Sequence, residues 1–255
     1  MKLTDRQQTI LLWVRQAGHL EVELLAKRFE VTPQTIRRDI NALCETGLLR
    51  RHYGGVSLPS ASSNLPFASR QIINQNAKIQ IAQRLAQHMP DGASVFLGIG
   101  TTVEFVARAL ADHQDLKVLT NNLNVASLLC NSPSIEVRVA GGQLRHNDHD
   151  LVGEETTHFF NNFQVDYGVI GAGSLDAHYG LMDFDVREAM ISRAILGNAR
   201  QRVLVADHSK WNRSALAKVA EFTELDLFIT DSLPRLEPNV LPASLDVIET
   251  EATSP

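Results

Sequence analysis

Val31-Thr-Pro-Gln-Thr-Ile-Arg-Arg-Asp-Ile-Asn-Ala-Leu43 reads as a helix with a marked start and two unlike faces. Thr32 supplies a capping hydroxyl, and Pro33 suits the first helical position, where its missing N–H costs nothing. Ile36, Ile40 and Leu43 fall at i, i+4 and i+7 and form one apolar stripe. At about 100° per residue, Gln34, Arg38 and Asn41 gather on the opposite face. Amide and guanidinium groups can make paired hydrogen bonds to purine edges in a major groove. An ordinary solvated helix face has the same composition, so the flanking sequence has to decide.

Upstream, Ile10, Leu11 and Val14 predict a helix from Thr4 to Ala17, stopped by Gly18. Val22, Leu25, Ala26 and Phe29 predict a second, from Glu21 to Phe29. Glu30-Val31 then turns the chain into the capped third helix. Three short helices with a tight turn before the third form a helix-turn-helix plan. Downstream, Gly47-Leu-Leu-Arg-Arg-His-Tyr-Gly-Gly-Val56 predicts a hairpin, with Gly54-Gly55 taking the positive φ angles. Arg50 and Arg51 beside it, with Thr35 and Arg37, are candidate phosphate contacts. Residues 1–57 therefore read as a winged helix-turn-helix that binds double-stranded operator DNA.

Charge supports that division. Residues 1–57 carry nine Lys+Arg and six Asp+Glu, and the remaining residues carry fifteen and twenty-three, within an overall net charge of −5. A basic head on an acidic body fits a DNA-binding module joined to a part that does not touch DNA. With 255 residues, 44 % hydrophobic, the chain can fill a small core and a larger one. Cys44 and Cys130 have no metal-ligand spacing and suit a reducing cytoplasm. No signal peptide and no long apolar run is read, so neither secretion nor membrane spanning is expected.

Leu58-Pro-Ser-Ala-Ser-Ser-Asn-Leu-Pro66 reads as the start of a linker over 58–74. A helix from Asn74 to His88 leads into a body over 75–255. Strands at Ala93–Leu97, Leu116–Leu119, Ile135–Ala140, Val165–Ala172, Val203–Ala206, Leu225–Thr230 and Leu245–Ile248 alternate, for most of the body, with helices. Those helices are Val103–Ala111, Leu123–Cys130, Glu154–Asn162 and Val186–Leu196. This alternation predicts a mainly parallel α/β sheet covered on both faces.

Ligands of such sheets sit beyond the carboxyl ends of the strands. Gly98-Ile-Gly100-Thr101-Thr102 lies at one such end and suits a lone phosphate, because glycine lets the backbone approach and a helix start offers free N–H groups. It is neither a P-loop nor a dinucleotide fingerprint, and a plain strand-to-helix turn is the alternative. Thr120-Asn121-Asn122 is a second cluster, or else a helix cap. Gly141-Gly142 reads more simply as a turn. Lys210 can supply a compact cation, and Asp183 and Glu188 can accept hydrogen bonds from ligand hydroxyls. A solvated surface is the alternative for all three.

Together these stretches resemble the DeoR family of bacterial sugar-metabolism repressors. The head carries the family's Val31–Leu43 stretch and the Arg-Arg-His-Tyr-Gly-Gly wing. The body carries Gly-Thr-Thr, Thr-Asn-Asn, Ala-Gly-Gly and Asp-His-Ser-Lys in order, and the likeness runs from about Met1 to Asp231. It implies a repressor released from DNA by a phosphorylated small-molecule effector, such as glycerol 3-phosphate or another sugar phosphate. Operator binding suggests a homodimer or homotetramer. No cofactor and no metal is expected.

The resemblance also implies a body like ribose-5-phosphate isomerase, which raises an enzymatic alternative. Proton shuttling needs a positioned base. The isomerase has an Asp-Gly-Ala-Asp-Glu run where this chain has Ile170-Gly-Ala-Gly-Ser174. Glu188 falls where that enzyme has its catalytic carboxylate, but it stands without those neighbours, so binding without turnover is expected. An activator is a further alternative, because sign depends on operator position. Many family members have Asp where this chain has Gly98, a change that suggests extra room for ligand.

Overall fold

The computed structural model describes residues 3–58 and 64–250. The chain forms two compact units, 1–73 and 74–255.

In the first unit, α1 (Asp5–Ala17) begins in a capping box between Thr4 and Gln7 and ends at Gly18, φ 76°. Strand β1 (His19–Glu21), α2 (Val22–Arg28) and α3 (Pro33–Glu45) follow. The Thr32 hydroxyl accepts from the Thr35 backbone N–H at 3.3 Å, the cap that the sequence predicts. Strands β2 (Arg50–His52) and β3 (Gly55–Ser57) make the wing, and β1 completes an antiparallel sheet of order β1-β3-β2. Ile36, Ile40 and Leu43 are fully buried with Ile10, Val14, Leu25 and Val56.

Buried Asp39 fixes α3 to α1. It accepts from the Arg6 guanidinium at 2.5 Å and from the Gln7 amide at 3.4 Å. The linker expectation needs correction at its C-terminal half. Residues 67–72 form α4 (Phe67–Ile72), and the Ser69 hydroxyl donates to the Thr46 carbonyl. Ile72 and Ile73 pack on the core of the head. Gly47, at φ 70°, makes way for this segment, since a Cβ there would lie 2.6 Å from Pro66. Residues 59–63 of the expected linker lie outside the described residues.

The second unit opens with α5 (Gln75–His88) and β4 (Ser94–Leu97). Next come α6 (Thr101–Leu110), β5 (Lys117–Thr120), α7 (Leu123–Leu129) and β6 (Glu136–Val139). A hairpin of β7 (Gln143–Arg145) and β8 (Asp150–Val152) leads to α8 (Glu154–Asn161) and β9 (Val165–Ile170). The chain continues through β10 (Ser174–Asp176), β11 (Gly180–Asp183), α9 (Val186–Gly197) and β12 (Ala199–Val205). It closes with β13 (Ala217–Ala220), β14 (Leu227–Thr230) and β15 (Asp246–Glu249).

Among the described residues the main sheet is parallel throughout, in the order β15-β14-β12-β9-β4-β5-β6. Alternation along the strands divides the core in two. Val95, Leu97, Val118, Val203, Val205 and Ile229 face one side with Val103, Val106 and Leu110 of α6. Phe96, Leu119, Leu204 and Phe228 face the other, with Phe160 of α8 and Ile191 and Ile195 of α9. Burial on both faces explains the nearly continuous apolar strands. The stretch between Ala140 and Gly153, for which the sequence predicts no strand or helix, contains the β7–β8 hairpin. A second small sheet, β10-β11-β13, was also not read from the sequence. From β4 the chain winds outward through β5 and β6, then returns to β9 on the other flank of β4. The winding direction reverses between β4 and β9, the position where ligand crevices form in open α/β sheets.

Candidate functional site

On α3, Gln34, Arg38 and Asn41 are exposed while the opposite stripe is buried. The other proposed contacts are arranged more specifically than periodicity foretold. Thr35 is half-buried, its hydroxyl 3.0 Å from that of Thr32. Arg37 reaches Glu23 of α2 at 3.5 Å. Arg51 donates to the Asn41 carboxamide oxygen at 2.5 Å, tying the wing to α3. Arg50 is exposed on β2. Tyr53, at the wing turn, is fully exposed.

In the second unit, the strand ends gather the predicted ligand residues at one end of the sheet. Gly98 follows β4, and its N–H donates to the Val169 carbonyl at 3.0 Å, joining the two strands that flank the reversal. A Cβ at Gly98 would meet Ile195 at 3.2 Å and the Val169 carbonyl at 3.3 Å. The position is closed by packing against α9, so the expectation of extra ligand room at Gly98 is corrected. Gly100, at φ 108°, starts α6 and has open space where a side chain would project. Thr101 and Thr102 lie buried in the first turn beside it.

Thr120, Asn121 and Asn122 are fully buried. The Thr120 hydroxyl donates to the Leu97 carbonyl at 2.6 Å, and the Asn122 side-chain oxygen caps α7 by accepting from Asn124 and Val125. The Asn121 amide donates to the Leu151 carbonyl at 2.8 Å, docking the hairpin onto β5. The capping alternative therefore holds for Asn122. Two buried atoms, Asn121 Oδ1 and Asn122 Nδ2, have no hydrogen-bond partner among the described residues. Buried polar atoms are seldom left so, and a polar ligand or water would satisfy them. Gly141 accepts from the Thr156 hydroxyl at 2.7 Å, and a Cβ on Gly142 would lie 2.2 Å from the same oxygen. These two glycines serve the turn.

Two charged clusters lie at the same carboxyl end of the sheet, after β6 and after β12. At the first, Arg145 of the hairpin pairs with Asp150 at 2.9 Å, Asp148 at 3.3 Å, Asp185 at 3.4 Å and with Glu188. Glu188 and Asp183 are both buried. Burial, then the neighbouring Asp183 charge, pushes Glu188 up to about 8 against the pull of Arg145. Near neutral pH Glu188 is therefore largely protonated, so the Glu188–Asp183 pair can both donate to and accept from a hydroxyl.

At the second, Lys210 lies in a short 3-10 turn after β12, capped by Asp207. Burial works to raise Asp207, but Lys210, Ser209, Lys78 and Asn74 outweigh it and hold the carboxyl below its usual range. Lys78 of α5 is only 3 % exposed. It is not among the residues expected at the site, although its sequence carries a signal. Lys78 shares one helical face with Ile81, Ala82 and Leu85, where a lysine is out of place unless paired. Arg145 gave no comparable signal.

Comparison with known proteins agrees with this layout. The DeoR-like helix-turn-helix domain matches residues 6–62, and the DeoR C terminal sensor domain matches residues 73–232. The chain belongs to the DeoR family. It is 41 % identical to the glycerol-3-phosphate regulon repressor of Escherichia coli (strain K12), over 92 % of this chain and 93 % of that one. It is 38 % identical to the HTH-type transcriptional repressor CsqR of the same organism, over 92 % of each. Among solved structures, ribose 5 phosphate isomerase A from Neisseria gonorrhoeae aligns with a TM-score of 0.39 and 15 % identity, covering 57 % of this chain and 55 % of that one. No conclusion about chemistry follows at that distance. No helix among the described residues is long and apolar enough to cross a membrane.

Proposed function

We propose that this chain is a cytoplasmic repressor of a glycerol or related carbohydrate catabolic operon, released from its operator by a phosphorylated metabolite, with glycerol 3-phosphate the first candidate. One observation carries the reading. A single end of the sheet combines an open helix start and two lysines with a carboxyl pair that holds a proton. The first set suits a phosphate and the second suits hydroxyls. The names of the two relatives support repression over activation.

In this reading Gln34, Arg38 and Asn41 meet base edges, and Thr35, Arg37, Arg50 and Arg51 meet phosphates. Gly100, Thr101, Thr102, Lys78 and Lys210 hold the effector phosphate, while Asp183 and Glu188 hold its hydroxyl end. Ligand and DNA then compete through conformation, because an effector shifts the equilibrium only by its differential affinity for the two states. Two or more copies on a repeated operator would multiply affinity through effective concentration. Binding without turnover is favoured by Ile170-Gly-Ala-Gly-Ser174, which places no carboxylate after β9 to move a proton.

Fluorescence anisotropy on the chain's own promoter DNA, at fixed salt, tests the proposal. Glycerol 3-phosphate should release the DNA, and Lys210→Ala should abolish release while sparing DNA affinity. Tight DNA binding that no glycerol, pentose or hexose phosphate disturbs would remove the phosphate site.

A further inference from the structure

Asn74 is the first residue of the sensor unit, and Ile73 before it packs on the core of the head. The covalent route from one unit to the other passes through Asn74. It adopts φ 51°, ψ 38°, left-handed geometry that non-glycine residues take up rarely, with asparagine among the more tolerant. Its side-chain amide donates to Asp207 Oδ1 at 2.7 Å. That same oxygen accepts from the Ser209 N–H at 3.1 Å and the Ser209 hydroxyl at 2.5 Å. Asp207 is almost wholly buried, with Lys210 and Lys78 supplying its compensating charge.

One carboxylate thus faces two tasks. It shares its cations with the proposed phosphate site, and it holds the residue from which the head is attached. We infer that Asn74, held by Asp207, is the positioning residue through which occupancy of the crevice reaches the DNA-binding head. The inference rests on the reading of the crevice as a phosphate site. An anion arriving at Lys210 and Lys78 competes with Asp207 for the same positive charge. Asp207 then re-forms its contacts and its bond to Asn74 weakens. Without that bond the left-handed geometry loses its support, and the chain enters α5 along a different path. A single element-terminal residue that absorbs a φ/ψ change is how hinges commonly work.

The full-length protein tests this with two variants, Asn74→Ala and Asn74→Gly. Glycine accepts the left-handed geometry but lacks the amide, so it separates backbone shape from the Asp207 bond and guards against a misfolded alanine variant. Operator affinity is measured by anisotropy with and without saturating glycerol 3-phosphate, or inorganic phosphate as a second probe. Calorimetry on DNA-free protein gives probe affinity. For the wild type, the ratio of the two operator affinities should lie in the usual range for linked sites, about 5–150-fold. Both variants should bind the probe as the wild type does, yet show a ratio below about twofold. A wild-type ratio in either variant overturns the inference: in alanine because Asn74 then transmits nothing, in glycine because shape and not the bond would be transmitting. A wild type that binds DNA but responds to neither probe overturns the crevice reading, and the inference with it. That failure is recognisable because it appears before any substitution is made.

Discussion

The two polar faces of this protein hold their charges in opposite ways. On α3 and the wing, arginines stand in solvent, Arg37 leaning loosely on Glu23 at 3.5 Å and Arg51 bonded to the neutral Asn41. In the sensor crevice Arg145 is 14 % exposed and held by several carboxylates at once. A face meant for a polyanion keeps its cations available. A crevice that holds a small ligand, as proposed here, must first satisfy its own charges and then exchange them. The head therefore should tolerate substitution structurally and fail in binding, whereas the crevice should fail in both.

The largest effect should come from Arg145→Ala. It leaves Asp150 buried without its cation, and removing one partner of such a buried pair typically costs about 3–5 kcal/mol. Urea unfolding should show this loss, and a change under about 1 kcal/mol would erase the contrast with the head. Next, Arg38→Ala should weaken operator binding by about 1–3 kcal/mol and relax preference at one base pair, with an unchanged melting temperature. Unaltered affinity in a gel shift would remove Arg38 from the interface.

Glu188 sharpens the comparison through pH. Its folded-state value, about 8, lies above its ordinary 4.5, so the native state binds the extra proton. Its contribution to stability is complete below about pH 4.5, declines as pH rises, and is gone above about pH 8. Glu188→Gln should flatten that part of the stability profile, and an unchanged slope would show that another group titrates there. The smallest effect belongs to the exposed pair. Glu23→Ala should alter stability by no more than about 1 kcal/mol, and a larger loss by thermal unfolding would mean that the head, too, depends on its charges.

What could be read in advance follows the same division. The α3 helix was legible because its cap, its Pro33 and its apolar stripe all lie within thirteen residues. The sheet was legible because strands buried on both faces write themselves as apolar runs. The Arg145 cluster was not, since its partners stretch from Asp148 to Glu188 and meet only after a hairpin and α9 are in place. Three-residue strands such as β1 and β10 carry too little pattern to register. Segment 67–73 was hidden by the Pro- and Ser-rich residues before it, which coloured the whole stretch as linker. Asn122 serves two readings at once, since its oxygen caps α7 while its buried Nδ2 has no partner among the described residues.

The position of β4 inside the sheet, between β9 and β5, has a consequence for biosynthesis. Its partner β9 lies far along the chain, with Ser94 meeting Asp166 across 72 residues. Contacts of such separation form slowly, and domains emerging from the ribosome tend to fold in order from the N-terminus. The head, complete by residue 73, is therefore finished while β4 of the sensor still waits for its neighbour β9. A polypeptide released early from the ribosome would carry the means to occupy an operator but not the crevice that lets it go, so cells making this protein have reason to remove incomplete chains quickly.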